Sequence, residues 1–236
     1  MTAADRALDF VEDGARVGLG TGHAASAFAV ALSARVRGGL HVVAVPTSEA
    51  TAVHARELGI PLTCLDDGEM LDVTVDGADE VDPQLDLIKG YGGALLREKV
   101  VADASRCLVI LVGREKLVPV LGTRGTLPVE VVPFALPVCR RRLADLGIGS
   151  SLRPDGDRPF LTDNGNYLLH CAVGPIARPG LLLEQIRSIP GVVEVGLFLD
   201  LADVVLVEEH GQVQVLRRAP GTRATPLNRA SRECHS

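Results

Sequence analysis

Aromatic residues are scarce in this sequence: it has no tryptophan, two tyrosines and five phenylalanines among 236 residues. That is too few ring faces to build a stacking platform for bases or sugars. An excess of positive charge is missing as well. The formal net charge is −6, which gives no footprint for nucleic acid and no basic helix for a membrane surface. No apolar run reaches the roughly 18 residues of a membrane span, and the first residues, MTAADRALDF, lack a signal-peptide pattern. The six histidines show no HxxxH or HExxH spacing, so neither a metal nor any other cofactor is expected. Cys64, Cys107, Cys139, Cys171 and Cys234 form no CxxC pair, and most lie in apolar runs. An odd count without a leader points to reduced thiols in a cytoplasmic protein.

What remains is ordinary for a folded globular protein. Apolar residues make up 47% and charged residues 23% of the chain, enough for a core and too little charge for disorder. Short apolar runs alternate with helical patterns. Arg16 to Leu19 reads as a strand, followed by a glycine turn and an alanine-rich helix from Ala24 to about Val36. His41 to Val45 leads through Pro46-Thr47-Ser48 to a helix from Glu49 to about Leu58, with Ser48 placed to cap it. Pro61 to Leu65, Leu71 to Val75 and Cys107 to Val112 read as further strands, the last continuously apolar, as buried parallel strands tend to be. From Leu127 the style changes to short alternating strands, two helices and an Asn164-Gly165 hairpin turn. The expectation is an α/β protein: a doubly wound, mostly parallel main domain over 1–127 plus 200–216, and a small α+β, ferredoxin-like domain over 128–199. Residues 217–236 read as a mobile tail.

The chemistry concentrates in Asp76 to Lys99, DGADEVDPQLDLIKGYGGALLREK. Asp76 and Asp79 are separated only by Gly77 and Ala78, small enough to let both carboxylates turn toward one spot. Lys89 is followed by Gly90, Tyr91, Gly92 and Gly93, and glycine lets backbone N–H groups come close to a ligand. Ala94 to Arg97 favour a helix that carries Glu98 in its first turns. Carboxylates, a lysine and a glycine loop suit proton transfer beside a carbonyl: a carboxylate moves the proton while the lysine and the amides steady the oxyanion. A second cue is Gly20-Thr21-Gly22-His23 between strand and helix, an arrangement that offers free N–H groups to an anion. It lacks the lysine of a P-loop and the third glycine of a dinucleotide fingerprint. A small phosphate fits it better than a dinucleotide, with an ordinary tight turn as the equal alternative. Thr47 and Ser48 add hydroxyls at a strand end. Lys116, beyond Val112, is either a phosphate cation or a solvated loop lysine.

Taken together and in order, GLGTGHAA, PTSEAT, TVDGADEVD, IKGYGGALLREK, LPVEVVP, TDNGN and PGVVEVGLF resemble the ribose-5-phosphate isomerases of the A type, over roughly residues 5–216. The resemblance implies metal-free interconversion of ribose 5-phosphate and ribulose 5-phosphate through an enediolate. It implies Glu98 as the base, Asp76 as the group for ring opening and hydroxyl proton transfer, and Asp79 and Lys89 as partners that orient substrate and stabilise the oxyanion. Gly20, Thr21, Gly22, His23 and Ala24 match the loop around the sugar phosphate, and Lys116 matches a lysine that binds it. Thr47, Ser48, Gly77, Ala78, Gly90, Tyr91 and Gly92 complete the expected substrate contacts. A homodimer or homotetramer is implied, with the small domain contributing to subunit contacts.

Three positions depart from the family pattern. His23 stands where serine is usual, Tyr91 interrupts a run of glycines, and Gly113-Arg114-Glu115-Lys116 replaces Asp-x-Ser-Lys, losing the acid. These departures keep two rivals in play, an isomerase for another phosphosugar and a non-catalytic sugar-phosphate sensor on the same fold.

Overall fold

Valine-rich runs bounded by glycine or proline become strands, and the alanine-rich stretches between them become helices. The computed structural model describes residues 1–65, 70–218 and Cys234. Along the chain lie α1 (Ala3–Ala7), β1 (Ala15–Leu19), α2 (His23–Arg37), β2 (Val42–Pro46), α3 (Glu49–Glu57), β3 (Leu71–Gly77), β4 (Glu80–Val81), β5 (Leu87–Ile88), α4 (Leu95–Asp103) and β6 (Ser105–Gly113). There follow β7 (Thr126–Val131), α5 (Leu136–Asp145), β8 (Gly149–Leu152), β9 (Pro154–Asp155), β10 (Arg158–Pro159), β11 (Tyr167–Ala172), α6 (Pro179–Arg187), β12 (Val192–Val195), β13 (Leu197–Phe198), β14 (Val204–Glu209) and β15 (Gln212–Arg217). The chain divides into two compact units: 1–78, 97–116 and 200–236 form the first, 79–96 and 117–199 the second.

The first unit holds a six-stranded sheet in the order β15-β14-β6-β3-β1-β2. All its neighbours pair in parallel except β14 with β15, an antiparallel hairpin at one edge. Non-consecutive parallel neighbours require crossover helices, which makes this a doubly wound sheet. Its core joins Val17, Leu19, Val73, Val75, Val109 and Leu111 from the strands to Phe28 and Leu32 of α2. Glycine lets β1 and β3 approach closely: a Cβ on Gly18 would lie 2.7 Å from Val101 and 2.9 Å from Thr74 Cβ.

The second unit pairs β12-β7-β11-β8 antiparallel, with a three-stranded sheet β13-β5-β4 beside it. Taken as β7-α5-β8-β11-α6-β12, the larger sheet has the β-α-β-β-α-β order of a ferredoxin-like unit. Its core contains Val129, Val131, Leu143, Leu169, Ile186 and Val195. Gly165, with φ of +75°, sits at the tip of the expected hairpin turn. Glu130 fixes that turn to β7, its Oε1 accepting from Thr162 Oγ1 and Asn166 Nδ2 at 2.9 Å each.

Several expectations need correction. The small domain was expected to begin at 128, yet 79–96 and 117–127 belong to the second compact unit. The reason is pairing: β4 and β5 join β13, while Val118 and Leu121 pack in the second core. Residues 61–65 form only a single parallel bridge, Ala44 to Leu62. Val192 to Phe198 is two strands in two sheets rather than one. Reduced cysteines throughout were expected, but Cys107 and Cys234 are joined in a disulfide across 127 residues, with Cα atoms 5.3 Å apart. A pair that far apart in sequence has no spacing signature. Cys64, Cys139 and Cys171 are thiols, and burial pushes Cys171 up to about 12, so it is inert at neutral pH. Most of the expected mobile tail, 219–233 and 235–236, lies outside the described residues. Among the described residues, no helix is long and apolar enough to cross a membrane.

A cross-link closing so long a loop restricts the unfolded chain strongly. Cys234→Ser should lower the unfolding free energy by about 2–4 kcal/mol, read from urea titrations. Wild type in reductant should fall to the same value, and an unchanged midpoint in both would show that the bond contributes nothing.

Candidate active site

In a parallel sheet, all strands deliver their following loops to one edge, and that edge is where open α/β sheets keep ligands. Here the carboxyl ends of β1, β2, β3 and β6 lead to Gly20-Thr21, Thr47-Ser48, Asp76-Gly77 and the 3-10 turn Arg114–Lys116. α4 begins at the same edge: its far end lies by the start of β3, where Leu71 N–H donates to Ala104 O at 2.9 Å. Glu98, in the first turn of α4, is buried with 4% of its surface exposed. A charge-bearing side chain that deep in a helix start is rare without a purpose.

Asp76 is buried at 1% exposure, and backbone amides surround its carboxylate. Oδ1 accepts from Gly77 N–H at 2.7 Å and from Thr21 N–H at 3.1 Å. Only glycine fits at position 20, since a Cβ there would fall inside the Asp76 carboxylate and 2.6 Å from its Cα. Thr21 Oγ1 lies 2.8 Å from Thr47 Oγ1 and donates to Ser48 Oγ at 2.9 Å. Ser48 also caps α3, accepting from Thr51 N–H at 3.0 Å, so its capping role is real and it still joins the hydroxyl cluster. Gly22, with φ of +104°, opens α2 with no side-chain cap. That 15-residue helix starts with the exposed His23, followed by Ala24. Lys116 is half-buried in its turn.

The acidic stretch sorts by task. Asp82 is a turn former, its Oδ1 accepting from Gln84 and Asp86 N–H at 2.9 Å each. Glu80 is fully buried and holds a loop, accepting from Gly122 N–H at 2.6 Å and Arg124 N–H at 2.7 Å. Asp76 and Glu98 belong to the first unit, Ala78 closes its segment, and Asp79 and Lys89 belong to the second. Asp79, half-buried, accepts from Tyr91 N–H at 3.0 Å. Lys89 is buried at 3% exposure, its Nζ 5.5 Å from the centre of the Phe198 ring. Gly90, φ +111°, and Gly93, φ +94°, close a tight turn in which Gly93 N–H donates to Gly90 O at 2.9 Å.

Two of the three sequence departures have a structural answer. Tyr91 turns its ring into the second core, and its hydroxyl donates to Thr126 O at 3.0 Å. Burial, then the nearby charges of Asp79 and Glu80, raise its pKa, so it stays neutral. The exposed face of the loop is left to Gly92. At Gly113, the carboxylate of Glu115 folds back into the space a Cβ would occupy. A carboxylate thus lies beside position 113, attached two residues further on. Glu80, Arg153 and Phe160, which hold the surrounding loops, carry no motif that sequence reasoning could have found. Among the described residues one group, Cys107, Asp203 and Cys234, brings possible metal donors within 4.8 Å of one another, and its two sulfurs are joined to each other.

The fold and these residues define a class: a doubly wound α/β protein with a ferredoxin-like unit, and with Asp76, Glu98 and the glycine turn at 20–22 at the carboxyl edge of the sheet. The family model for ribose 5-phosphate isomerase A (phosphoriboisomerase A) matches residues 43–212. The ribose-5-phosphate isomerase A of Gloeobacter violaceus is 54% identical over 217 residues, 91% of this chain and 94% of that protein. That of Roseiflexus castenholzii is 54% identical over 208 residues, covering 87% and 89%. Among solved structures, the isomerase of Methanocaldococcus jannaschii superposes with a TM-score of 0.87 at 38% identity, covering 92% of this chain and 96% of that one. A D-ribose-5-phosphate isomerase in complex with phospho-erythronic acid gives a TM-score of 0.88 at 38% identity over the same shares. The chain belongs to the ribose-5-phosphate isomerase A family.

His170 offers a check on the second unit. Its pKa is lowered by burial and then by the Arg153 charge, and its Nε2 is buried without a hydrogen-bond partner. A histidine depressed in the fold binds its proton more readily when unfolded, so acid favours unfolding. Stability should therefore fall as pH drops below about 6.5. Melting curves from about pH 7 to about pH 5 should show a shallower loss for His170→Gln than for wild type. Parallel curves would mean the imidazole is not the group responsible.

Proposed function

We propose that this protein interconverts D-ribose 5-phosphate and D-ribulose 5-phosphate, and that the buried Glu98 is the base. The observation that carries the assignment is a buried glutamate in the first turn of α4, at the carboxyl edge of the sheet, in a chain of this family. Isomerisation removes the proton from C2 of the open-chain aldose and returns one to C1, passing through an enediolate. Glu98 takes and returns that carbon-bound proton. Asp76 assists ring opening and moves protons between the hydroxyls. Its Oδ1 accepts from Gly77 and Thr21 N–H, which fixes the carboxylate for that task. Lys89 and the Gly90 to Gly92 amides meet the negative charge that develops on oxygen only as the enediolate forms. Asp79 orients the loop and the sugar.

The phosphate is assigned to the Gly20-to-Ala24 turn and to Lys116. A dianion placed there gains from the helix N-terminus and from a cation together, with His23 as a further donor when protonated. Thr47 and Ser48 support this turn through Thr21, and Gly77 and Ala78 line the substrate. The Glu115 carboxylate at Gly113 weakens the case for a different phosphosugar, because the lost acid is replaced in space. A homodimer or homotetramer is the assembly the family resemblance implies. The exposed apolar residues of the second unit, Phe134 at 95% and Val132 and Val138 near 40%, are the surface such an assembly would cover.

Glu98→Gln keeps the shape and removes the base, so kcat should fall by about three orders of magnitude or more with little change in KM. Ribulose 5-phosphate formation from ribose 5-phosphate measures this, and a mutant with wild-type turnover would refute the assignment. Lys116→Ala removes a contact present in ground and transition states alike. KM should therefore rise while kcat holds. A change in kcat alone would contradict a phosphate role.

A further inference from the structure

The turn from Gly90 to Gly93 is gripped from outside by a residue that no motif marks. Arg153 follows β8 directly, with its N–H donating to Leu168 O and its carbonyl accepting from Phe160 N–H, both at 2.9 Å. Its guanidinium Nη1 donates to the carbonyl oxygen of Tyr91 at 2.9 Å. The same guanidinium stacks over the Phe160 ring, 4.0 Å from the ring centre. Both groups press on Gly93: a Cβ there would meet the Phe160 ring at 2.6 Å and Arg153 Nη1 at 2.7 Å. Burial lowers the Arg153 pKa, with Asp155 opposing. The cation is partly desolvated, which strengthens its hold on a carbonyl dipole.

We propose that Arg153, braced by Phe160, is a positioning residue that orients and polarises the Tyr91–Gly92 peptide for catalysis. A trans peptide is planar, so its C=O and the following N–H point in opposite directions. Fixing the Tyr91 carbonyl on Arg153 turns the Gly92 N–H away from Arg153. Gly92 is exposed, and its N–H has no hydrogen-bond acceptor among the described residues. A cation on the carbonyl withdraws electron density through the amide and makes that N–H a better donor. Asp79 holds the preceding amide, Tyr91 N–H, and Thr126 holds the side chain. The loop is therefore fixed at three points, and Arg153 supplies the cationic one. The inference rests on the isomerase reading above, in which the Gly92 amide faces the developing oxyanion.

The test compares kcat, KM and melting temperature for wild type, Arg153→Ala and Arg153→Lys with ribose 5-phosphate, with and without millimolar guanidinium. Losing one charge-assisted hydrogen bond that matters in the transition state should lower kcat of Arg153→Ala by roughly 10- to 100-fold, with KM within about twofold of wild type. Added guanidinium should restore part of the lost kcat. Arg153→Lys keeps a charge but lacks the planar group that stacks on Phe160, so it should fall between the two. A residue that only stabilises the fold would lower the melting temperature without guanidinium rescue of kcat. Full turnover in both variants, or a rise in KM matching the fall in kcat, would overturn the proposal. If Arg153→Ala does not fold, wild-type kcat in Arg153→Lys would overturn it equally. Absence of isomerisation in wild type would instead refute the isomerase reading.

Discussion

The main sheet is organised by the close approach of the Gly20 backbone to the Asp76 carboxylate. Two strands can pass a buried carboxylate between them only if one side carries no side chain, and Gly20 meets that condition. Gly20 N–H donates to Val75 O at 2.9 Å, which sets the height at which β1 ends against β3. Thr21 and Gly77 then supply amide donors to the same oxygen of Asp76, as a buried anion demands. Because Thr21 is fixed, its hydroxyl gathers Thr47 and Ser48, and β2 and α3 are brought to the same edge. A single close contact thus couples the phosphate-type loop, the acid and the cap of the next helix.

The second unit uses the same device with different partners. Its buried carboxylates accept from loops distant in sequence: Glu80 from the 122–124 turn, Glu130 from the 162–166 turn. Each exchanges the hydration of a charge for two directed hydrogen bonds, shared between both oxygens in Glu80 and gathered on Oε1 in Glu130. The result is that loops, usually the most mobile parts of a fold, are tied to strands. The turn carrying Gly90 to Gly93 benefits most. It is bounded by Asp79 and Arg153 at its peptide groups and by the Phe160 ring at Gly93.

Much of this was legible in the sequence, for a physical reason. Parallel strands and crossover helices are written locally, in periodicity, caps and glycine stops. Ser48 as a cap and Leu71 to Gly77 as a strand ending in acids needed no distant information. The acidic stretch stands out as a candidate site because its residue types are costly to bury and yet cluster. Its division of labour was not. Asp82, Glu80 and Asp79 look alike in sequence, and only their partners at 84, 122 and 91 separate a turn former, a loop tie and a candidate substrate contact. The unit boundary was missed because β4 and β5 are two-residue strands that take their meaning from β13, more than a hundred positions later. The Cys107–Cys234 bond was missed for the same reason. Arg153 sits in a run, Leu152-Arg153-Pro154-Asp155-Gly156, that reads only as a turn.

The departures from the family pattern carry the same lesson from the other side. A tyrosine among glycines suggests a blocked loop, and at Gly113 a missing acid suggests a weakened site. Neither follows once the backbone path is known. The phenol of Tyr91 leaves the loop for the core and adds a hydrogen bond at Thr126, so it braces the turn while Gly92 keeps the exposed face. Gly113 has no side chain, and that is what admits the Glu115 carboxylate to its space. The glycine at 113 and the glutamate at 115 belong together in space: a carboxylate lies beside position 113, attached two residues further on.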